Sequence, residues 1–341
     1  MDRRTATELN MKSISRRRFL KGSAAAVVSL ALSPLTAPAY SENGKGAGTV
    51  PKVYFTKEIS PDALVRIYEA LGRELPGKVA VKISTGESAK SNHLRPELIG
   101  QLVQKLNGTI VECCTAYGGN RQDVRKHWKA IEERGYKNIA DVDILDEYGD
   151  FTIPIKGGFH LEEDIVGSGL KSYDSVLILS HFKGHAMAGM GGALKNISIG
   201  IGSSRGKANI HSSGITSDTR KVWSNTAEQD DFLESMADAC KAVIGYVGAE
   251  NMLYINVANN LSVDCDCDGN PKKPEMADLG IFASTDPVAL DQACYDAVQN
   301  TDDQGKQALI KRMESKHAIH IVEAASELGL GSREYELVEI S

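Results

Sequence analysis

Three of the chain's eight histidines fall between positions 181 and 211, among three lysines and a run of glycines. The stretch reads Ser180-His181-Phe182-Lys183-Gly184-His185, then Gly191-Gly192-Ala193-Leu194-Lys195-Asn196, and closes on Ile210-His211-Ser212. A neutral imidazole can move a proton or ligate a transition metal. A lysine that loses its proton becomes a nucleophile or a point of covalent attachment. Glycines such as Gly191 and Gly192 let backbone approach a bound group closely. The competing interpretation is a Gly-rich surface loop with solvated His and Lys. The GxxxxGK[ST] pattern is absent, which argues against a nucleotide triphosphatase.

A second constellation is Asp264-Cys265-Asp266-Cys267-Asp268-Gly269-Asn270. Cys265 and Cys267 with their flanking carboxylates suit zinc or iron, and Cys113 or Cys114 could complete a four-ligand set. Against this, alternating residues of an extended strand point to opposite sides. The alternative is an Asp/Gly/Asn turn carrying two buried or disulfide-prone thiols. The six cysteines include no CxxC pair and no ferredoxin-type run. Asp286-Pro287 reads as a helix N-cap followed by Pro at the first helical position. Met187 and Met190 read as packing, and His93, His127, His317 and His320 as solvated or capping residues.

The segments His181–His185, Gly191–Asn196, Cys265–Cys267 and Thr285-Asp286-Pro287-Val288-Ala289-Leu290-Asp291 resemble hallmarks of the domain-of-unknown-function 362 family. That family's usual four-cysteine ferredoxin insertion is missing. The segment is also similar, more distantly, to nickel-dependent lactate racemase. His185, Lys195 and His211 follow that family's order, ten and then sixteen residues apart. The resemblance implies His185 as a catalytic proton acceptor, Lys195 as the attachment point of a nickel-pincer nucleotide, and His211 as a nickel ligand. It also implies Arg95, in Asn92-His93-Leu94-Arg95-Pro96, as an anion clamp, and places Asn120 where a second catalytic His would stand. His181 or His160 would then have to serve as the second proton acceptor, or the reaction is one-handed.

The elements that must position these residues alternate. Helical patterns start at Pro61, Pro96, Gln122, Phe232 and Asp286, with further helix from Gln307 to Leu328. Strands are expected at 79–83, 109–113, 142–145, 175–179, 253–257 and 279–283, with 335–340 closing the sheet. Ser175–Leu179 is continuously apolar, as a strand buried on both faces would be. The expected fold is therefore α/β, a mostly parallel doubly wound sheet over residues 51–341, as one domain or two closely joined lobes, with sites at the carboxyl ends of strands.

Ahead of it, Ser15-Arg16-Arg17-Arg18-Phe19-Leu20-Lys21, an uncharged stretch and Ala37-Pro38-Ala39 read as a twin-arginine signal over residues 1–39, with a linker at 40–50. The expected partner is the twin-arginine translocase, and the expected location is periplasmic or otherwise extracytoplasmic. Cleavage would leave 32 Lys/Arg against 43 Asp/Glu, a net charge of −11. Such a surface disfavours nucleic acid and anionic lipid, and stable membrane insertion is not expected after cleavage. The leading expectation is an exported metal- or cofactor-dependent enzyme acting on a small anionic metabolite. The rivals are a non-catalytic redox or metal-binding (iron–sulfur or zinc) accessory protein and a periplasmic ligand-binding protein.

Overall fold

A computed structural model describes residues 50–341; the expected signal segment and most of the linker lie outside the described residues. In chain order the strands are β1 (Lys52–Thr56), β2 (Val79–Lys82), β3 (Thr109–Glu112), β4 (Val142–Ile144), β5 (Asp150–Pro154), β6 (Glu163–Gly167), β7 (Ser175–His181), β8 (Lys183–His185), β9 (Gly189–Gly191), β10 (Met252–Ala258), β11 (Gly280–Ser284) and β12 (Glu336–Glu339). The helices are α1 (Pro61–Ala70), α2 (Pro96–Lys105), α3 (Val124–Glu133), α4 (Ala193–Ile201), α5 (Ser204–His211), α6 (Gln229–Val247), α7 (Pro287–Asn300), α8 (Lys306–Ser315) and α9 (His320–Glu327).

Eight strands form one sheet in the order β12-β1-β11-β10-β7-β2-β3-β4. β11 pairs antiparallel with both its neighbours, and the remaining pairs of this sheet are parallel. The expected mostly parallel α/β sheet is therefore present. Every residue of β7 and β10 is buried, as strands covered on both faces must be. One face packs Ala80, Ile178, Tyr254 and Phe282 with residues of α4, α6, α7 and α9. The other packs Val81, Leu177, Ile255 and Ile281 with residues of α1 and α2. The described residues fall in a single compact unit.

Local chemistry sets the helix starts. Ser60 Oγ accepts from Ala63 N at 3.1 Å with Pro61 opening α1, and Asp123 caps α3 through Lys126 N at 3.0 Å. Three features depart from expectation. The Gly-rich stretch is no loop: it holds the β8–β9 hairpin, α4 and α5. Gln307–Leu328 is two helices, parted where His317 adopts a left-handed backbone (φ 47°). The short strand β1 and the β5–β6 hairpin carry no strong alternation and were not expected.

Candidate functional site

The chain leaves β2 in one direction towards β3 and β4, and reaches β7 and β10 on β2's other side. The carboxyl ends of β2 and β7 are thus a topological switch point, where open α/β sheets leave a crevice. A cavity of about 210 Å³ lies here, lined by Lys82 of β2, Glu112 of β3, His181 of β7 and residues of β8, β9, α4 and α5. Asn196 spans the crevice floor. Its Nδ2 donates to Lys82 O at 3.1 Å and Ser180 Oγ at 3.1 Å, while its Oδ1 accepts from Lys82 Nζ at 3.0 Å.

His185, Lys195 and His211 all line this cavity. Lys195 sits on the first turn of α4 and, among the described residues, its Nζ has no hydrogen-bond partner. Burial, then the Lys183 ammonium, pushes it down to about 7, with Asp266 partly opposing. His211 ends α5, its ring stacked on Phe232 at 4.7 Å between centroids. Burial, then Lys195 and Lys207, pushes it down to about 3, and its buried Nδ1 has no partner. His185 is held well below the usual imidazole range by burial, then by Lys195 and Lys183.

His185 is therefore neutral, and the backbone assigns its tautomer. Met187 N and Ala188 N both donate to its Nδ1, at 3.1 and 2.9 Å. The ring proton must then be on Nε2. In this state His185 offers an N–H to a ligand, not a lone pair, which corrects the expectation of a proton acceptor.

The walls are cationic. Lys82, Arg121, Lys183, Lys195 and Lys207 line the cavity against only two carboxylates, Glu112 and Asp266. Lys82 is pushed down to about 8 by burial, with Glu112 opposing. Lys183 Nζ donates to His181 O at 2.9 Å and pairs with Asp266 Oδ2 at 3.0 Å, and Lys207 Nζ donates to Gly202 O at 2.5 Å. Burial would raise the Asp266 carboxyl, but Lys183 and His181 hold it far below the usual range. His181 is locked: Nδ1 lies 2.7 Å from Asp266 Oδ1 and Nε2 2.6 Å from Asn259 O, so it keeps no free nitrogen as a second proton acceptor.

Other expected residues are placed differently. Arg95 is exposed at the start of α2, bonded to Ser91 O at 2.9 Å and His93 Nε2 at 2.9 Å, and is not among the cavity residues. Arg121 stands in the wall instead, bridging Glu112 Oε1 at 2.6 Å and Tyr117 OH at 2.9 Å. Asn120 is turned to Glu87 O at 2.9 Å and, like His160, is absent from the lining. Gly191 lines the cavity, bordering Lys183 and Lys195. Gly192 is required for a different reason: an added Cβ would lie 2.4 Å from Asp291 Oδ1. That carboxylate caps α4 through Ala193 N (2.8 Å) and Leu194 N (2.9 Å), so these two N–H groups are not free for a ligand.

Cys265 and Cys267 line the cavity joined as a disulfide. The segment is a turn, not an extended strand, so the two sulfurs meet instead of diverging. In this state neither is a thiolate, but the two sulfurs and a ring nitrogen of His185 lie within 4.8 Å of one another, so the reduced pair would offer a three-donor metal set. Cys113 and Cys114 do not join them: Cys113 Sγ contacts Ile201 O at 3.2 Å and Cys114 Sγ contacts His127 Nδ1 at 3.8 Å. Lys82, Lys207, Asn196 and Arg121 went unread as site residues. The available signal was position, a Lys at the carboxyl end of a buried strand in the case of Lys82.

The family model described as "Domain of unknown function (DUF362)" matches residues 79–296. Among curated proteins none matches the chain. Two solved structures to which the chain is similar are as follows. The lactate racemase apoprotein from Thermoanaerobacterium thermosaccharolyticum aligns at TM-score 0.43 and 13% identity, covering 72% of this chain and 56% of that one. A structural-genomics protein from Thermotoga maritima aligns at TM-score 0.39 and 12% identity, covering 70% and 58%. The chain thus spans less than two thirds of either structure's length.

Proposed function

Given that the chain belongs to the DUF362 family, whose description assigns no activity, we propose from its cavity that it is an enzyme acting on a small anionic 2-hydroxy or 2-oxo acid, with Lys195 as the covalently reacting amine. One observation carries this reading: Lys195, unpartnered and pushed down to about 7, shares a buried cavity with a neutral His185. An amine of that kind is substantially unprotonated near neutral pH and able to attack the C2 carbonyl of a 2-oxo acid, the carbonyl oxygen leaving as water as the imine forms. The Nε2–H of His185 is suited to polarise the oxygen on that carbon, as a neutral imidazole electrophile does.

The remaining residues bind and orient. An ammonium has three donors, so Lys183 keeps one and Lys207 two beyond the bonds they make. These are free for a carboxylate. Asn196 holds Lys82 in the crevice, and the Asp291 cap fixes the first turn of α4 from which Lys195 projects.

The residues also fit a covalently attached, metal-carrying nucleotide of the nickel-pincer kind. Lys195 supplies the attacking amine, and His211 supplies a neutral imidazole whose buried Nδ1 has no protein partner. Such a group, when bound, supplies an electrophilic acceptor for the hydrogen at C2 of a hydroxy acid. Asn120 lies outside the cavity and His181 is locked, so neither serves as the second proton acceptor that racemisation needs, which favours a one-handed reaction. The twin-arginine motif supports an extracytoplasmic place of action.

Two measurements test the reading. Protein made in a host that synthesises pincer nucleotides should exceed its polypeptide mass, and Lys195→Ala should abolish the excess. Borohydride added with a 2-oxo acid should trap a reduced adduct on Lys195 of the unmodified chain. A bare mass in the first and no Lys195 adduct across a panel of 2-oxo acids in the second would overturn it.

A further inference from the structure

A separate gathering of metal-type ligands lies where the β5–β6 loop, the start of α6 and the α8–α9 junction meet, and none of its members lines the cavity. It contains three of the eight histidines: His160, His317 and His320. Glu234 stands between two of them, its Oε2 2.6 Å from His160 Nε2 and its Oε1 3.2 Å from His320 Nε2. Asp231 Oδ1 is 3.7 Å from His160 Nε2, and Asp230 Oδ1 is 2.8 Å from His317 Nδ1. The ligand atoms of His160, Asp231 and Glu234 lie within 4.8 Å of one another, as do those of Asp230, His317 and His320.

The donors are set in place by structure that does not depend on the cluster. Asp238, fully buried on α6, accepts from the backbone N–H groups of Phe159, His160 and Leu161 at 2.7, 2.7 and 2.9 Å, which pins the His160 loop to the helix. His317 takes a left-handed backbone (φ 47°) at the end of α8, and His320 N donates to its carbonyl at 2.9 Å, so the two rings stack 4.9 Å apart. Half-exposed ion pairs contribute little stability by themselves. They give no account of why imidazoles from two separate segments converge on one carboxylate face of α6.

We propose that this cluster is a binding site for a divalent cation of the zinc class, held by His160, Asp231 and Glu234, with Asp230, His317 and His320 adjoining. Mixed imidazole and carboxylate donors suit zinc and its transition-metal neighbours, whereas calcium and magnesium take oxygen alone. The ion replaces the hydrogen-bonded proton between Glu234 and His160 and ties the β5–β6 loop to α6. The site is independent of the cavity chemistry, and the two can fail separately.

The test is titration of the full chain, stripped with chelator, with ZnCl2 alone, reading bound metal by elemental analysis and Tm by thermal scan. At a hundredfold excess over Kd the wild-type Tm should rise by roughly 5 °C. The double variant His160→Gln/His320→Gln should lose at least one zinc equivalent and most of that rise, and Glu234→Gln, which keeps side-chain shape, should weaken binding at least tenfold. Cys265→Ser/Cys267→Ser should retain the equivalent. Equal zinc binding by wild type and the histidine double variant would show an ion-pair network only and overturn the proposal. So would loss of the equivalent in the cysteine variant.

Discussion

Replacing Lys183 by methionine should raise the pKa of Lys195 and slow its chemistry near neutral pH. A Cβ placed on Gly191 would lie 3.4 Å from Lys195 Cδ and 3.5 Å from Lys183 Nζ, so that the two side chains approach closely. Two unit charges about 7 Å apart at an effective dielectric of about 20 repel by roughly 2.4 kcal/mol. Allowing for side-chain adjustment, that is a pKa rise of about 1–2 units. The wild-type midpoint of about 7 would move to about 8–9. At pH 7.5 the unprotonated fraction would fall from about three quarters to between about 3 and 25%. Competitive labelling of the unmodified chain with trace acetic anhydride, read by peptide mass spectrometry from pH 5.5 to 10.5, gives both midpoints, with surface lysines as internal standards. A wild-type midpoint above 9, or no upward shift in Lys183→Met, would refute the electrostatic account of the site.

Asp164 is fully buried and burial pushes its carboxyl up to about 7. A raised acid costs nothing below the unfolded value and costs progressively more as pH rises through the folded one, so stability should fall between about pH 4 and 7. Asp164→Asn should then stabilise the protein by roughly 2–4 kcal/mol at pH 8 and by little at pH 4.5, as urea unfolding would show. Asp291→Ala strands Ala193 N, Leu194 N and Asn256 Nδ2, and should cost about 2–4 kcal/mol in the same assay while disordering the first turn of α4 by hydrogen exchange. For export, Arg16→Lys with Arg17→Lys should leave uncleaved precursor in the cytoplasm, and processed protein outside the cell would count against the signal.

The sequence by itself determined the buried strands and the order of the chemistry. Ser175–Leu179 is apolar at every position but its first, which only a strand covered on both faces tolerates, and the Ser60-Pro61 and Asp286-Pro287 starts follow from capping. His185, Lys195 and His211 were legible because unusual residue types were crowded among glycines, and they do share one cavity. What those residues can do was decided by tertiary structure, because protonation and ligand access depend on neighbours distant in sequence. Two backbone N–H groups made His185 a donor, Asp266 and Asn259 locked His181, and burial together with Lys183 depressed Lys195. Arg95 and Asn120 stood in plausible motifs yet turned away from the cavity, while Lys82, hidden inside a strand, was delivered to it by the switch between β2 and β7. Asp291, which reads as part of a helix, caps a helix nearly a hundred residues earlier in the chain. The histidine cluster on α6 shows the same dependence: His160 and His320 meet at Glu234 only because the β5–β6 hairpin and α9 both pack against that helix. Local sequence fixes which groups exist and how each segment folds; the packing of remote segments fixes which atoms face one another, and electrostatic and hydrogen-bond energies depend on that.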